Sequence, residues 1–172
     1  MITLVLGGAR SGKSAVAEQL TARWAVSGRA IYVATAVPDP DDADFAARIA
    51  EHRSRRPAGW LTEELPRGAD LAEMLRRLDG TILIDSLGTW LAGAPDFAVD
   101  VDDLVASLTS HLGHLIVVSD EVGLGVHPSS GAGRAYRDAI GELNQRVAAI
   151  ADQVLLAVAG RVIQLSSIDS LR

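Results

Sequence analysis

LVLGGARSGKSAVAEQL, residues 4–20, is the stretch whose reading decides the fold. It opens as an apolar strand, breaks at Gly7 and Gly8, and resumes as a helical pattern after Gly12, Lys13 and Ser14. Glycine, four residues, then Gly-Lys-Ser is the spacing of a phosphate-binding loop. Glycines let the main chain approach an anion closely, so successive N–H groups form a concave nest for phosphate oxygens. A helix beginning near Lys13 adds the positive end of its dipole. In such a loop Lys13 reaches the β- and γ-phosphates, and the Ser14 hydroxyl takes one position around Mg²⁺. A strand before and a helix after separate the motif from a chance match in a glycine turn.

Working outward, further apolar runs of strand length fall at Ala30–Ala34, Thr81–Ile84, Leu115–Ser119, Val154–Val158 and Val162–Leu165, after the first at Ile2–Leu6. Most are continuously apolar, as strands buried on both faces of a parallel sheet must be. Helical patterns at Lys13–Val26, Asp42–Arg55, Leu71–Leu78, Val101–Leu112 and Ala135–Ala151 alternate with them. The expectation is an α/β fold in three layers. Only Ala159, Gly160 and Arg161 separate the last two strands, which predicts an antiparallel hairpin at the sheet edge.

The chain has 172 residues, so one domain over 1–172 is expected, with 166–172 as a frayed tail. A 48% hydrophobic and 22% charged composition is globular, with no long disordered segment. Net charge is −6 and no long basic stripe exists, which argues against nucleic acid as a partner. There are no cysteines, hence no disulfide, thiolate metal site or cysteine nucleophile. Met1 leads straight into a strand, and no run approaches the roughly 20 apolar residues of a membrane span, so a cytoplasmic protein is expected.

Mg²⁺ on Ser14 calls for a carboxylate at a neighbouring strand end. TILID ends in Asp85 and LIVVSDE ends in Asp120 and Glu121. Spacing alone does not choose between them.

FAARIAEHRSRRP, residues 45–57, gathers Arg48, His52, Arg53, Arg55 and Arg56 within a few helical turns. Guanidinium forks match phosphate oxygens, and an imidazole that is mostly neutral near pH 7 can attack phosphorus. Phe45, Ile49 and His52 also share a helix face, so packing beside the core is the competing reading of His52. His111, His114 and His127 show no metal-ligand spacing. In WLTEE, residues 60–64, Glu64 is either a surface acid or an acceptor for a ribose or base. SDEVGLGVHPSSGAGRAYRD, residues 119–138, reads as a long glycine-bearing loop followed by Arg134 and Arg137, a substrate wall or a plain connector.

These stretches together resemble one family, the bifunctional adenosylcobinamide kinase/adenosylcobinamide-phosphate guanylyltransferases of cobalamin biosynthesis. GGARSGKS (7–14), YVATA (32–36), ARIAEHRSRRPAGWLTEE (47–64), ILIDSLGTWL (82–91), VSDEVGLGVHP (118–128) and the segment 134–160 carry the resemblance in the family's order. It implies a three-layer P-loop NTPase of RecA-like type, with a mostly parallel sheet and an antiparallel C-terminal edge hairpin. It also implies two activities: phosphorylation of the aminopropanol hydroxyl of adenosylcobinamide by ATP or GTP, then transfer of GMP from GTP to adenosylcobinamide-phosphate. His52 would carry the GMP covalently, with Lys13 as the other catalytic residue. Nucleotide contacts would fall on Gly7, Gly8, Ala9, Arg10, Ser11, Gly12, Lys13 and Ser14, on Thr35, Ala36 and Val37, on Arg53, Ser54, Arg55 and Arg56, and on Glu64 and Asp85. Ser14 and Asp85 would hold the Mg²⁺, and the chain would form a homo-oligomer, a trimer by expectation. The chain departs from the family pattern at Ser129–Gly133, and Asp120 stands where asparagine is frequent. Corrinoid contacts near 129–133 are therefore left open.

Two other readings compete. A kinase for another small metabolite would leave the His52–arginine cluster idle. A GTP-binding switch would require an Asn-Lys-x-Asp stretch to read guanine, yet Asn144 is the only asparagine in the chain.

Overall fold

The computed structural model describes residues 1–36 and 56–168. Among these, seven strands form one sheet. β1 (Ile2–Gly7) lies between β5 (Leu115–Asp120) and β6 (Gln153–Val158). Beyond β5 come β4 (Ile82–Asp85), β2 (Ile31–Ala34) and the edge strand β3 (Leu61–Glu64), while β7 (Arg161–Leu165) closes the other side. β1 to β6 run parallel, and β7 pairs antiparallel with β6. The order β3-β2-β4-β5-β1-β6-β7 inserts β5 between the strand that feeds the phosphate loop and the strand that ends in Asp85.

The continuous apolar runs are explained by cover on both faces. α1 (Lys13–Trp24) lies on one, where Ala17 joins Val5, Tyr32, Leu83, Ile116 and Val118. Its buried side chains are Ala17 and Thr21, and Thr21 Oγ1 donates to the Ala17 carbonyl at 2.8 Å, so a small, self-satisfied face meets the sheet. On the other face lie α2 (Leu71–Leu75), α3 (Leu87–Gly93), α4 (Val101–Ser110) and α5 (Gly131–Ala148). They pack Leu71, Leu87, Leu104, Leu108, Ile140 and Val147 against Leu4, Val33, Ile82, Ile84 and Val117. The fold is thus the expected three-layer α/β arrangement with a parallel sheet and an antiparallel edge hairpin.

Four local features add to the sequence expectation or differ from it. LTEE pairs in register with β2 as a true edge strand, Ala34 opposite Glu64, although every β3 residue is exposed and no hydrophobic run marks it. α3 was not expected. It begins at a capping box in which the Ser86 hydroxyl accepts from the Thr89 N–H and Thr89 answers to the Ser86 N–H. α5 starts at Gly131 rather than Ala135, since Ser130 Oγ caps the Gly133 N–H at 3.0 Å and offsets the weak propensity of two glycines in the first turn. The glycine-bearing loop is correspondingly shorter than read. The final hairpin turns on two residues rather than three, Ala159 at φ 50° and Gly160 at φ 71°, the left-handed pair that suits a tight hairpin. The helix expected over 42–55 lies outside the described residues, as do 37–41 and 169–172.

Leu83 is fully buried in β4, whereas Leu61 on β3 is 59% exposed. Leu83→Ala should therefore cost about 2–5 kcal/mol in guanidinium unfolding, and Leu61→Ala should stay within about 0.5 kcal/mol.

Candidate functional site

β1 ends at Gly7, and the chain turns through 8–12 into α1. A Cβ on Gly7 would lie 2.4 Å from Ser11 Oγ and 2.9 Å from the Ala157 carbonyl oxygen, so no side chain fits. Gly12 has φ 90°, and a Cβ there would come within 3.0 Å of Gly160 Cα. The turn is held from inside and outside. The Ser11 N–H donates to the Gly8 carbonyl at 3.3 Å, and the Gly160 N–H donates to the Ser11 carbonyl at 2.8 Å. The hairpin turn after β6 thus braces the phosphate loop. On the opposite side Ala9 and Arg10 are exposed and Gly8 is half-buried, leaving that part of the loop open to solvent.

The two strand-end acids take different partners. Ser14 Oγ donates to Asp85 Oδ1 at 3.3 Å. Lys13 Nζ pairs with Asp120 Oδ1 at 2.9 Å and donates to the Gly8 carbonyl at 3.4 Å. Glu121 instead closes its own loop, its Oε1 accepting from the Gly123 and Leu124 N–H groups. Strand order explains the division, because Asp120 stands in register with Gly7 on the adjacent strand while Asp85 sits one strand further out. The acid beside the Ser14 hydroxyl is therefore Asp85. A hydroxyl and a carboxylate next to a phosphate nest suit Mg²⁺, which keeps several waters and takes its other oxygens from substrate phosphates. Among the described residues no group of three or more His, Cys, Asp or Glu is placed to hold a metal ion.

Arg56 and Tyr32 extend the polar edge. The Tyr32 hydroxyl donates to Asp85 Oδ2 at 2.6 Å, and the Arg56 guanidinium lies 3.5 Å from the centroid of the Tyr32 ring. Arg56 Nη1 donates to Thr62 Oγ1 at 3.0 Å, while its Nε is buried with no hydrogen-bond partner among the described residues. A buried guanidinium nitrogen of that kind fits an anion. Burial first, and then the Asp85 charge, push the Tyr32 phenol well above its ordinary value, so it stays a donor.

Thr35 and Ala36 follow β2 at the same end. The Thr35 hydroxyl is spent on Ser86 and Thr89, donating to the Ser86 carbonyl at 2.7 Å, accepting from the Ser86 N–H at 2.8 Å and lying 2.5 Å from Thr89 Oγ1. Glu64 ends β3 in the same row as Ala34 and Asp85. Val37, His52, Arg53, Ser54 and Arg55 lie outside the described residues. The other histidines serve structure: His111 bonds the Gly80 carbonyl, His114 stacks on Trp24, and His127 meets Arg137. Tyr32 escaped the sequence reading because it sits inside an apolar strand. The available clue was that a buried tyrosine needs a partner for its hydroxyl.

A family model described as cobinamide kinase / cobinamide phosphate guanyltransferase matches residues 3–165. The chain belongs to this family. It is 42% identical to the bifunctional adenosylcobalamin biosynthesis protein CobP of Pseudomonas aeruginosa, over 93% of this chain and 94% of that protein. It is 35% identical to the bifunctional adenosylcobalamin biosynthesis protein CobU of Salmonella typhimurium, over 93% and 97%. The CobU protein of Escherichia coli is 34% identical over the same shares. Among solved structures, the flagellar accessory protein FlaH of Methanocaldococcus jannaschii aligns with 94% of this chain and 74% of its own at TM-score 0.46 and 14% identity, too loose a likeness to build on.

Two outcomes follow from the geometry of this family member. Gly12→Ala places a side chain in the left-handed region and against Gly160, so it should abolish binding of a fluorescent GTP analogue and lower the thermal midpoint. Tyr136 has its pKa pushed up from 10.0 to about 12, by burial first and the Asp120 charge second. The native state then keeps a proton that the unfolded chain loses, so the stability this group supports is whole below pH 10 and falls as pH rises toward 12. Urea midpoints measured across that window should drop less steeply for Tyr136→Phe than for the unsubstituted protein.

Proposed function

We propose that this chain phosphorylates adenosylcobinamide with ATP or GTP and then joins GMP from GTP to the adenosylcobinamide-phosphate, through a guanylyl group carried on His52. The observation that carries the reading is the meeting of Lys13, Ser14, Asp85 and Arg56 at one edge of the sheet, around a glycine turn with no room for side chains at Gly7. Arg56 follows directly on the segment that contains His52, which supports bringing an imidazole to the same phosphates.

In the kinase step the acceptor hydroxyl oxygen attacks the γ-phosphorus. The bond to the β–γ bridging oxygen breaks, the diphosphate leaves with those electrons, and the hydroxyl proton passes to solvent. Lys13 exchanges its Asp120 partner for phosphate oxygens and neutralises the leaving group. In the second reaction a His52 nitrogen attacks the α-phosphorus of GTP, forming a P–N bond as pyrophosphate departs. The phosphate oxygen of adenosylcobinamide-phosphate then attacks the same phosphorus, the P–N bond breaks, and His52 is restored. Arg53, Arg55 and Arg56 stabilise the charge on the α-phosphate. Ser14 and Asp85 would hold Mg²⁺, which when bound supplies charge neutralisation at the phosphates.

One nucleotide site serves both reactions in this reading, within a single domain over 1–172 that works in the cytoplasm. The apolar, exposed Val162 and Ile163 on the edge strand β7 support association of copies, for which we take a homo-oligomer, specifically a trimer.

The test is isotopic. After incubation with α-labelled GTP and denaturation, label should stay on the protein, be released by acid, and be absent from His52→Ala, while that variant still phosphorylates adenosylcobinamide. Label retained in His52→Ala would overturn the assignment of the carrier.

A further inference from the structure

Tyr32 touches both halves of the proposed site and reacts with neither. On the α1 face of β2 it replaces what would otherwise be one more apolar residue, between Ile31 and Val33, and it is 2% exposed. Packing alone asks only for an aromatic ring there. The hydroxyl does something more, since it holds Oδ2 of Asp85 while Ser14 holds Oδ1. A carboxylate with a donor on each oxygen is held in one orientation, and losing the Tyr32 donor removes the hydroxyl restraint on Oδ2. The ring face carries the Arg56 guanidinium, whose Nη1 is tied to Thr62, the register partner of Tyr32 on β3.

We infer that Tyr32 is a positioning residue. Its hydroxyl aims the Asp85 carboxylate at the Ser14 side of the phosphate loop, and its ring sets the Arg56 guanidinium at a fixed place on the same edge. The inference rests on the proposed roles of Ser14, Asp85 and Arg56. Mg²⁺ tolerates little departure from octahedral geometry, so the orientation of a carboxylate beside it governs how strongly metal and nucleotide support one another. An arginine laid on an aromatic face keeps its remaining donors for an anion in the plane of the guanidinium. One side chain thereby registers the metal–triphosphate grip with the Arg56 guanidinium.

Two substitutions separate the two contacts. Tyr32→Phe keeps the ring and removes the hydroxyl, and Tyr32→Leu removes both. The first readout is calorimetric affinity for α,β-methylene-GTP, measured with and without Mg²⁺, which needs no turnover. Tyr32→Phe should bind the analogue without metal as the unsubstituted protein does, and should lose about tenfold of the Mg²⁺-linked gain. The second readout is the rate of protein labelling by α-labelled GTP at saturating GTP and Mg²⁺, where Tyr32→Leu should fall well below Tyr32→Phe. An unchanged Mg²⁺-linked gain in Tyr32→Phe overturns the inference outright, and equal saturated labelling rates in the two variants overturn its Arg56 half. If Tyr32→Leu does not fold, the Tyr32→Phe measurement decides alone. If the unsubstituted protein shows neither a Mg²⁺-linked gain nor labelling, the failure belongs to the proposed function and not to Tyr32.

Discussion

Gly12 turns left-handed at φ 90°, and through that one residue the chain leaves the phosphate turn and enters α1 with Lys13 and Ser14 on its first turn. An L side chain there would be strained and would press on Gly160. The hairpin turn beyond β6 closes on the loop from the other side, its Gly160 N–H on the Ser11 carbonyl. The loop's shape therefore depends on a piece of chain far along the sequence, and a distortion of the edge hairpin would be felt at the phosphate nest.

Electrostatics at this edge follow from strand order. With β5 between β4 and β1, the lysine meets one acid and the serine meets the other. The Lys13–Asp120 pair is partly open to water, with side-chain exposures of 15% and 25%, so it holds the lysine in place without fixing it there. A polyphosphate carries more charge than one carboxylate and competes well for the same ammonium. Asp85 is held by hydroxyl donors on both oxygens, from Ser14 and Tyr32, whereas Asp120 is held by the ammonium of Lys13.

Much of the fold was legible because buried parallel strands announce themselves as unbroken apolar runs, and the runs read at 2–6, 30–34, 81–84 and 115–119 fall on β1, β2, β4 and β5 to within a residue at each end. Elements held by capping or by a neighbour were harder to see. α3 depends on the Ser86–Thr89 box, a pattern with no charged residue to mark it. α5 begins at glycines that the Ser130 cap must compensate. β3 exists because β2 offers it an edge, since its own residues are all exposed. The glycine turn between β1 and α1 was readable for the opposite reason: Gly7, Gly12, Lys13 and Ser14 are close in sequence, so their spacing sets the local geometry.

Choosing among the acids was another matter. Asp85, Asp120 and Glu121 all close apolar runs, and their sequence positions rank them equally; the resemblance to a family pointed to Asp85 before any geometry could. By itself, the order of residues determined the sheet-forming runs and the local glycine turn, because both arise from neighbours in the chain. Only the folded sheet decided that Asp85 meets Ser14, that Asp120 meets Lys13, and that Tyr32 joins Asp85 to Arg56. Those contacts depend on which strands lie side by side and in what register, a property of long-range pairing that no short stretch of sequence contains.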